Sequence, residues 1–549
     1  MKFKKLLCLC LCVLLLLLSA CKNGDGDSKD NSSVPTPQTE TAATELSLLY
    51  SAADSLNPYE AKTELNQKLS LLMFDPLVKL DDAFQPQRIL AKSVEMNGKE
   101  CIVTLKSAVF TDGTPVTADD VVFSLDKLFK TELNYKHQLK DVKSYKAEST
   151  DTIKFTLTKA DPYFENLLDF PIIKKDSDTR KDENNIALPP IGSGRYVFDT
   201  KNKVLTANNM WVQGWFNVKT IELIDAPDKT VEKYNLEVNN ISIFQTDLSD
   251  GVVPPMSGNS SLLELNSLIY LGVNLSNSTV SQAKFRYALS AALDRTAICN
   301  DAYHGYASPA AGLFNSKWSD AGALQNIDPT ANLEIVVANF EEIGYNSKDE
   351  NGFLVNDKSK NITLKLVSYK DNARRDKAAA IVKQQLESVG IKVNLVSLNW
   401  KEYTDALTFG NFDLYIAETR LNNNMDVTEL VTSTGSLAYG IPESKNTDTN
   451  TKTDTTVKES TTDGVTASGD ADTQFEPSKP TSAVPLLDNA VKGFYNEQLS
   501  LVDIINAFNA EMPVIPLCHR RGITVCKTGI NAVAMSSLSD AYFGISNIK

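Results

Sequence analysis

The segment from Cys101 to Phe129, CIVTLKSAVFTDGTPVTADDVVFSLDKLF, constrains the fold more than any other stretch of the chain. Ile102, Thr104 and Lys106 alternate with Val103 and Leu105, the period-two pattern of a half-buried strand, and Asp112-Gly113 supplies the pair that a sharp turn prefers. Thr117 stands three residues before Asp120, so its hydroxyl can accept an orphan backbone N–H while the carboxylate reaches back. Val121, Val122, Leu125, Leu128 and Phe129 follow at helical spacing. A strand, a tight turn and a capped helix are expected in that order.

At 549 residues the chain exceeds one hydrophobic core, so two or three domains are expected. Its net charge of -14 would repel nucleic acid and anionic lipid headgroups, which excludes a nucleic-acid partner. Lys2, Lys4 and Lys5 precede an apolar run from Leu6 to Leu18, which Ser19 and Ala20 end just before Cys21. Those are the charged, apolar and small-residue sections of a secretory signal, and the run is shorter than the ~20 residues a spanning helix needs. Leu18-Ser19-Ala20-Cys21 further resembles the lipobox of bacterial lipoproteins, which implies removal of residues 1–20 and acyl chains on Cys21 as the only membrane attachment. Residues 21–44 are polar, lack large apolar side chains and read as a flexible tether. A second polar island of Thr, Ser, Asp, Lys and Asn at 440–482 is expected to be a disordered insertion.

Eight cysteines make no disulfide scaffold, because four of them lie in the leader. Cys518 and Cys526 flank HRRG and would face each other across a hairpin if the chain turned there, a geometry that spacing alone does not establish. None of the three histidines, His137, His304 and His519, sits at hydrolase or metal-ligand spacing, so no catalytic residue, metal or cofactor is assigned.

In the body, ELSLLYS from Glu45 reads as a strand that breaks at LNPY before an amphipathic run containing Leu65, Leu69, Leu72 and Met73. Gly192-Ser193-Gly194 precedes a strand rather than a helix and therefore reads as a tight turn, not a phosphate cradle. AKFRYALSAALDRTAICNDAY reads as one long amphipathic helix with Phe285, Ala288, Leu289, Ala292 and Leu293 inward and Arg286 and Asp294 nearer solvent. ITLKLVSY, RRDKAAAIVKQQLESVG and IKVNLVSL form a strand, helix, strand unit stopped at Gly390, which predicts a parallel pair.

Two of these motifs, FTDGTPVTADDVVFSL and Phe285-Arg286-Tyr287-Ala288-Leu289-Ser290-Ala291-Ala292-Leu293-Asp294-Arg295, resemble those of the large extracytoplasmic solute-binding proteins of ABC importers, family 5, which includes oligopeptide, dipeptide and nickel binders. The resemblance implies a periplasmic-binding-protein-like α/β fold of type II, two-lobed, with an extra subdomain in the first lobe. Residues 45–70, 187–267 and 510–549 would form the core of lobe I, 71–186 its subdomain, and 268–509 lobe II. Strands near 268–275 and 514–518 would cross between the lobes. It also implies a monomeric, lipid-anchored extracytoplasmic binder that captures a small solute, an oligopeptide before a nickel chelate or a sugar, and delivers it to ABC permease subunits.

By the same resemblance the pocket would be lined by Glu64, Leu65 and Asn66 in the first lobe, and by Trp400, Glu418, Thr419, Arg420 and Asn422 in the second. Peptide binders usually carry there a Trp and an Asp that holds the ligand ammonium; Thr419 to Asn422 replace that motif, and Arg420 is a residue type that grips a carboxylate through two parallel hydrogen bonds. An extracellular hydrolase, or a sensory or adhesive lipoprotein on the same scaffold, are the competing readings.

Overall fold

A computed structural model describes residues 45–442 and 482–548. The signal sequence, the tether with Cys21, and most of the polar insertion (443–481) lie outside the described residues. Gly440 and Ile441, which composition assigns to the insertion, are packed: the Gly440 carbonyl accepts from Leu275 N–H at 2.7 Å and Ile441 joins the core.

The Cys101–Phe129 segment folds as its pattern requires. Strand Glu100–Leu105 buries Cys101, Val103 and Leu105, and it pairs antiparallel with Ala91–Asn97 on one side and Thr152–Leu157 on the other. Val142–Ala147 completes this four-stranded sheet. Phe110 and Gly113 close the turn, with Gly113 at φ 83°, a backbone conformation that costs glycine nothing. Helix Ala118–Leu128 starts with a capping box in which the Asp120 carboxylate accepts from Thr117 N–H at 2.8 Å. It buries Val121, Leu125 and Leu128 against the same sheet's core.

A second sheet of four joins Glu45–Tyr50 to Thr220–Asp225 in parallel, then continues antiparallel through Val204–Ala207 to Tyr196–Asp199. Gly192 and Gly194 sit against the end of helix Glu64–Met73, where a Cβ on Gly192 would lie 2.1 Å from the Met73 carbonyl oxygen. Close approach of backbone to backbone thus dictates those glycines.

The third sheet has seven strands, in the order Ile243–Thr246, Val514–Cys526, Asn259–Val273, Leu414–Arg420, Thr363–Tyr369, Lys392–Leu398, with Ala307–Pro309 also paired to Val514–Cys526. Thr363–Tyr369 and Lys392–Leu398 are parallel and bridged by helix Ala373–Ser388, the strand, helix, strand unit expected from the sequence. The largest core covers this part of the molecule, and a separate core unites the two four-stranded sheets. These are the two lobes of an α/β fold.

Two long antiparallel strands, Asn259–Val273 and Val514–Cys526, run from one core to the other. Leu268 to Val273 and Val514 to Cys518 belong to the larger core, whereas Cys526 belongs to the other. Between Glu264 and Leu268 the register shifts, so the ladder is interrupted a few residues before the crossing expected from the sequence. Because HRRG runs straight through the second strand, Cys518 and Cys526 are not across a hairpin. Eight residues of strand separate them by roughly 26 Å, and both are free, buried thiols.

The expected long helix at 283–303 is instead two, Ala283–Ala291 and Arg295–Asp301, because the Asp294 carboxylate accepts from Ala297 N–H at 2.8 Å and starts a new helix. Arg286 is also corrected: it is buried, and its guanidinium donates to the backbone carbonyls of Val280, Ser281, Glu511 and Met512. A helical wheel cannot see those acceptors: Val280 and Ser281 precede the helix, and Glu511 and Met512 arrive from a distant segment.

Candidate functional site

Strand Leu414–Arg420 determines where a site can form. It pairs in parallel with Thr363–Tyr369 at Leu366↔Leu414 and Val367↔Tyr415, so that its last three residues pass the carboxyl edge of its neighbour. Crevices outside that edge are where open α/β sheets bind ligands. Here the overhang meets the interrupted part of the long strands and opens on a chamber of about 520 Å³. Leu263 and Leu265 of the long strand line it, together with Glu64, Lys68 and Leu71 of helix Glu64–Met73, and with Asp169, Arg420, Asn422 and Asp540. A smaller pocket of about 200 Å³ shares Asp247, Leu265 and Arg420 and adds Arg375, Glu418 and Arg520.

The residues expected from the sequence separate into three groups. Glu64, Arg420 and Asn422 line the chamber, and Glu418 lines the adjoining pocket. Asn66, though adjacent to Glu64, is fully buried, accepts from Ser51 N–H at 2.9 Å and donates to the Ser51 carbonyl at 2.9 Å, fastening the end of strand Glu45–Tyr50 to the helix. Leu65 packs on the small core beside that strand, and Thr419 is held in the ladder opposite Leu268. Trp400 does not line the chamber. It opens helix Trp400–Thr408, is 58% exposed, and packs on Tyr369 and Tyr403 with ring centroids 5.3 and 6.1 Å away.

Charge in the chamber is mostly compensated. Glu64 pairs with Lys68 at 2.5 Å. Asp540, 1% exposed, takes Lys79 and Arg195 on the same oxygen, each at 2.7 Å. Burial alone would raise this carboxyl, yet Arg195 and Lys79 hold it below its usual range. Glu418 takes Arg375 at 3.3 Å and also Arg520, which reaches Asp247 at 3.7 Å.

Asp169 differs. It is 5% exposed, accepts from Asn423 Nδ2 at 2.7 Å on one oxygen, and finds no partner for the other. Burial pushes it up to about 7, only partly offset by Arg420 and Asn423. Asn423 belongs to a seam between the lobes: Asn166 donates to the Asn423 carbonyl at 3.2 Å, Asn424 to Asp161 at 2.7 Å, and Lys159 pairs with Asp426 at 3.0 Å. Burial pushes Asp161 up to about 6.

Asp169, Asp540 and Lys68 carried no signal in the sequence. They lie far from Arg420 along the chain, sit in no motif, and converge only once the long strands bring the lobes together. Among the described residues no three His, Cys, Asp or Glu side chains form a cluster that could hold a metal ion, and no helix is long and apolar enough to cross a membrane.

Comparison with known proteins adds to this geometry. The family model for bacterial extracellular solute-binding proteins, family 5, middle region, matches residues 85–439. The glutathione-binding protein GsiB of Shigella flexneri is 25% identical over 362 residues, 63% of this chain and 67% of that protein. A nickel ABC transporter protein from Bacillus halodurans superposes with a TM-score of 0.70 at 16% identity, over 91% of this chain and 98% of that one. The periplasmic murein tripeptide binding protein MppA, in its unliganded open form, gives 0.69 at 18% identity over 92% and 97%. At such identities the two structures speak for the fold alone.

Proposed function

The chain belongs to family 5 of the bacterial extracellular solute-binding proteins, the binding components of ABC importers rather than enzymes, and from that premise we propose that its cargo is an oligopeptide of a few residues. The observation that carries the proposal is the chamber between the lobes. Its volume of about 520 Å³ falls within the roughly 300–1,000 Å³ of small-molecule sites, and its walls mix Leu71, Leu263 and Leu265 with polar groups from both lobes, as a peptide backbone with short side chains requires. GsiB is named for glutathione, a short peptide, which supports the same cargo.

Contacts from both lobes favour the closed arrangement, so cargo binding and lobe closure are one equilibrium, with the bend at the interrupted ladder near Glu264 and Arg521. We assign lobe I to residues 45–70, 187–267 and 510–549, its subdomain to 71–186 and lobe II to 268–509. The protein acts as a monomer, tethered through acylated Cys21 to the outer face of the cell membrane, and hands its cargo to permease subunits there. Glu64, Arg420 and Asn422 touch the cargo, with Glu418 behind them; Leu65, Asn66 and Thr419 support that wall.

Native mass spectrometry of the purified protein is expected to show a ladder of co-purified short peptides, and thermal melting is expected to rise by several degrees with a peptide mixture. A preparation that carries no ligand and does not respond to peptides would remove this reading.

A further inference from the structure

We propose that Arg420 receives a carboxylate of the cargo, making the chamber selective for peptides with a free acidic end over their amidated counterparts. This rests on the solute-binding reading above and adds the polarity of the site.

The case comes from which charges are already satisfied. Of the acids along the two pockets, Glu64 is paired with Lys68, Glu132 with Lys136, Asp247 and Glu418 with arginines, and Asp540 with Lys79 and Arg195. Among the described residues Arg420 alone of the lining lysines and arginines has neither an ion pair nor a hydrogen bond for its guanidinium, and it lies where the two pockets meet. Its backbone is nonetheless fixed, because it pairs in register with Ser267 of the long strand. The exposed side chain is thus carried on a paired strand end and left without a hydrogen-bonded counter-ion.

The remaining acid, Asp169, acts on Arg420 through its field but makes no hydrogen bond to it. Asp169 spends one oxygen on Asn423, and the position of that amide is set by the seam between the lobes. Arg420 is exposed here, and lobe closure would take an unpaired guanidinium out of water without compensation, whereas a carboxylate accepts two of its N–H groups in parallel. A second sign that the chamber is built for a ligand is Ser537, a residue 2% exposed whose buried hydroxyl has no hydrogen-bond partner among the described residues. That hydroxyl can donate to a carboxylate oxygen or accept from a peptide N–H.

The test uses the full protein, stripped of co-purified ligand, and calorimetric titration with Ala-Ala-Ala, Ala-Ala-Glu and Ala-Ala-Ala amide. Both acids are expected to bind at least ten-fold more tightly than the amide. R420Q should weaken the acids at least ten-fold and the amide by much less, so that the preference disappears, while R420K keeps part of it, since a point charge retains attraction but not the paired geometry. Arg420 supports no other side chain, so both variants are expected to fold, which near-identical melting of the unliganded proteins will verify. Equal binding of acid and amide by the natural protein, or a preference that survives R420Q, overturns this inference while leaving the peptide reading intact. Failure of all three peptides to bind overturns both together.

Discussion

Asp540 and Arg420 face the same chamber and stand in opposite states. Asp540 is buried under Lys79, Arg195 and the Tyr542 N–H, so both of its oxygens are engaged. Among the described residues Arg420 has no ion pair or hydrogen bond for its guanidinium, and feels the field of Asp169. The first arrangement ties the C-terminal segment to Lys79 and Arg195 and cannot admit a ligand without breaking; the second leaves free energy to be gained only when something arrives. The difference separates wall from receptor more sharply than does position in the cleft, since both line it.

The largest expected effect breaks the satisfied side. D540A strands two buried cations and should destabilise the protein by about 3–5 kcal/mol in urea unfolding. A loss below about 1 kcal/mol would mean that water replaces the carboxylate and that the contrast with Arg420 is one of degree.

Next comes pH, through Asp169. Its folded value, about 7, lies above the ordinary 3.8, so its contribution to stability is present below the unfolded value and is lost as pH rises through 7. Asp75 and Asp161, each near 6, act in the same direction, while buried His519, held down to about 4, loses stability as pH falls below 6.5. D169N isolates the first of these. Between pH 6 and 8 the natural protein should lose roughly 1.4 kcal/mol of stability that the variant keeps, measured as urea midpoints across that range. Parallel midpoints in the two proteins would place Asp169 in water.

A smaller effect is expected at Trp400. With 58% of its surface already exposed, W400A forfeits part of one aromatic cluster, about 1 kcal/mol or less, and should not alter peptide affinity. A large loss of affinity would restore the tryptophan to the binding surface. The smallest shift in stability belongs to R420Q, within about 0.5 kcal/mol of the natural protein, because no contact is lost until cargo is present.

What could be read from the sequence follows from the range of the forces involved. The capping box at Thr117, the parallel unit around Ala373–Ser388 and the strand at Glu45–Tyr50 are set by neighbours within a few residues, and each appears where its pattern puts it. Glu64, Arg420 and Asn422 reach the chamber because family resemblance carried long-range information that periodicity lacks. Where only the local pattern spoke, it failed in consistent ways. Arg286 looked solvent-facing because its carbonyl partners come from 511 and 512, and HRRG looked like a turn because a 13-residue strand crossing two cores leaves no local mark. Asp169 and Asp540 were invisible for the same reason.

The interrupted ladder at Glu264 and Leu268 has a mechanical corollary. Two rails tied along most of their length but untied over a short gap flex at the gap, and with roughly 20 Å of stiff strand on either side a rotation of some ten degrees there sweeps the far ends through about 3–4 Å. That travel is enough to part the Asn423, Asn424 and Asp426 contacts on the opposite rim without disturbing either core. The gap works as a fulcrum, turning a slight local bend into the wide stroke by which a door admits its guest.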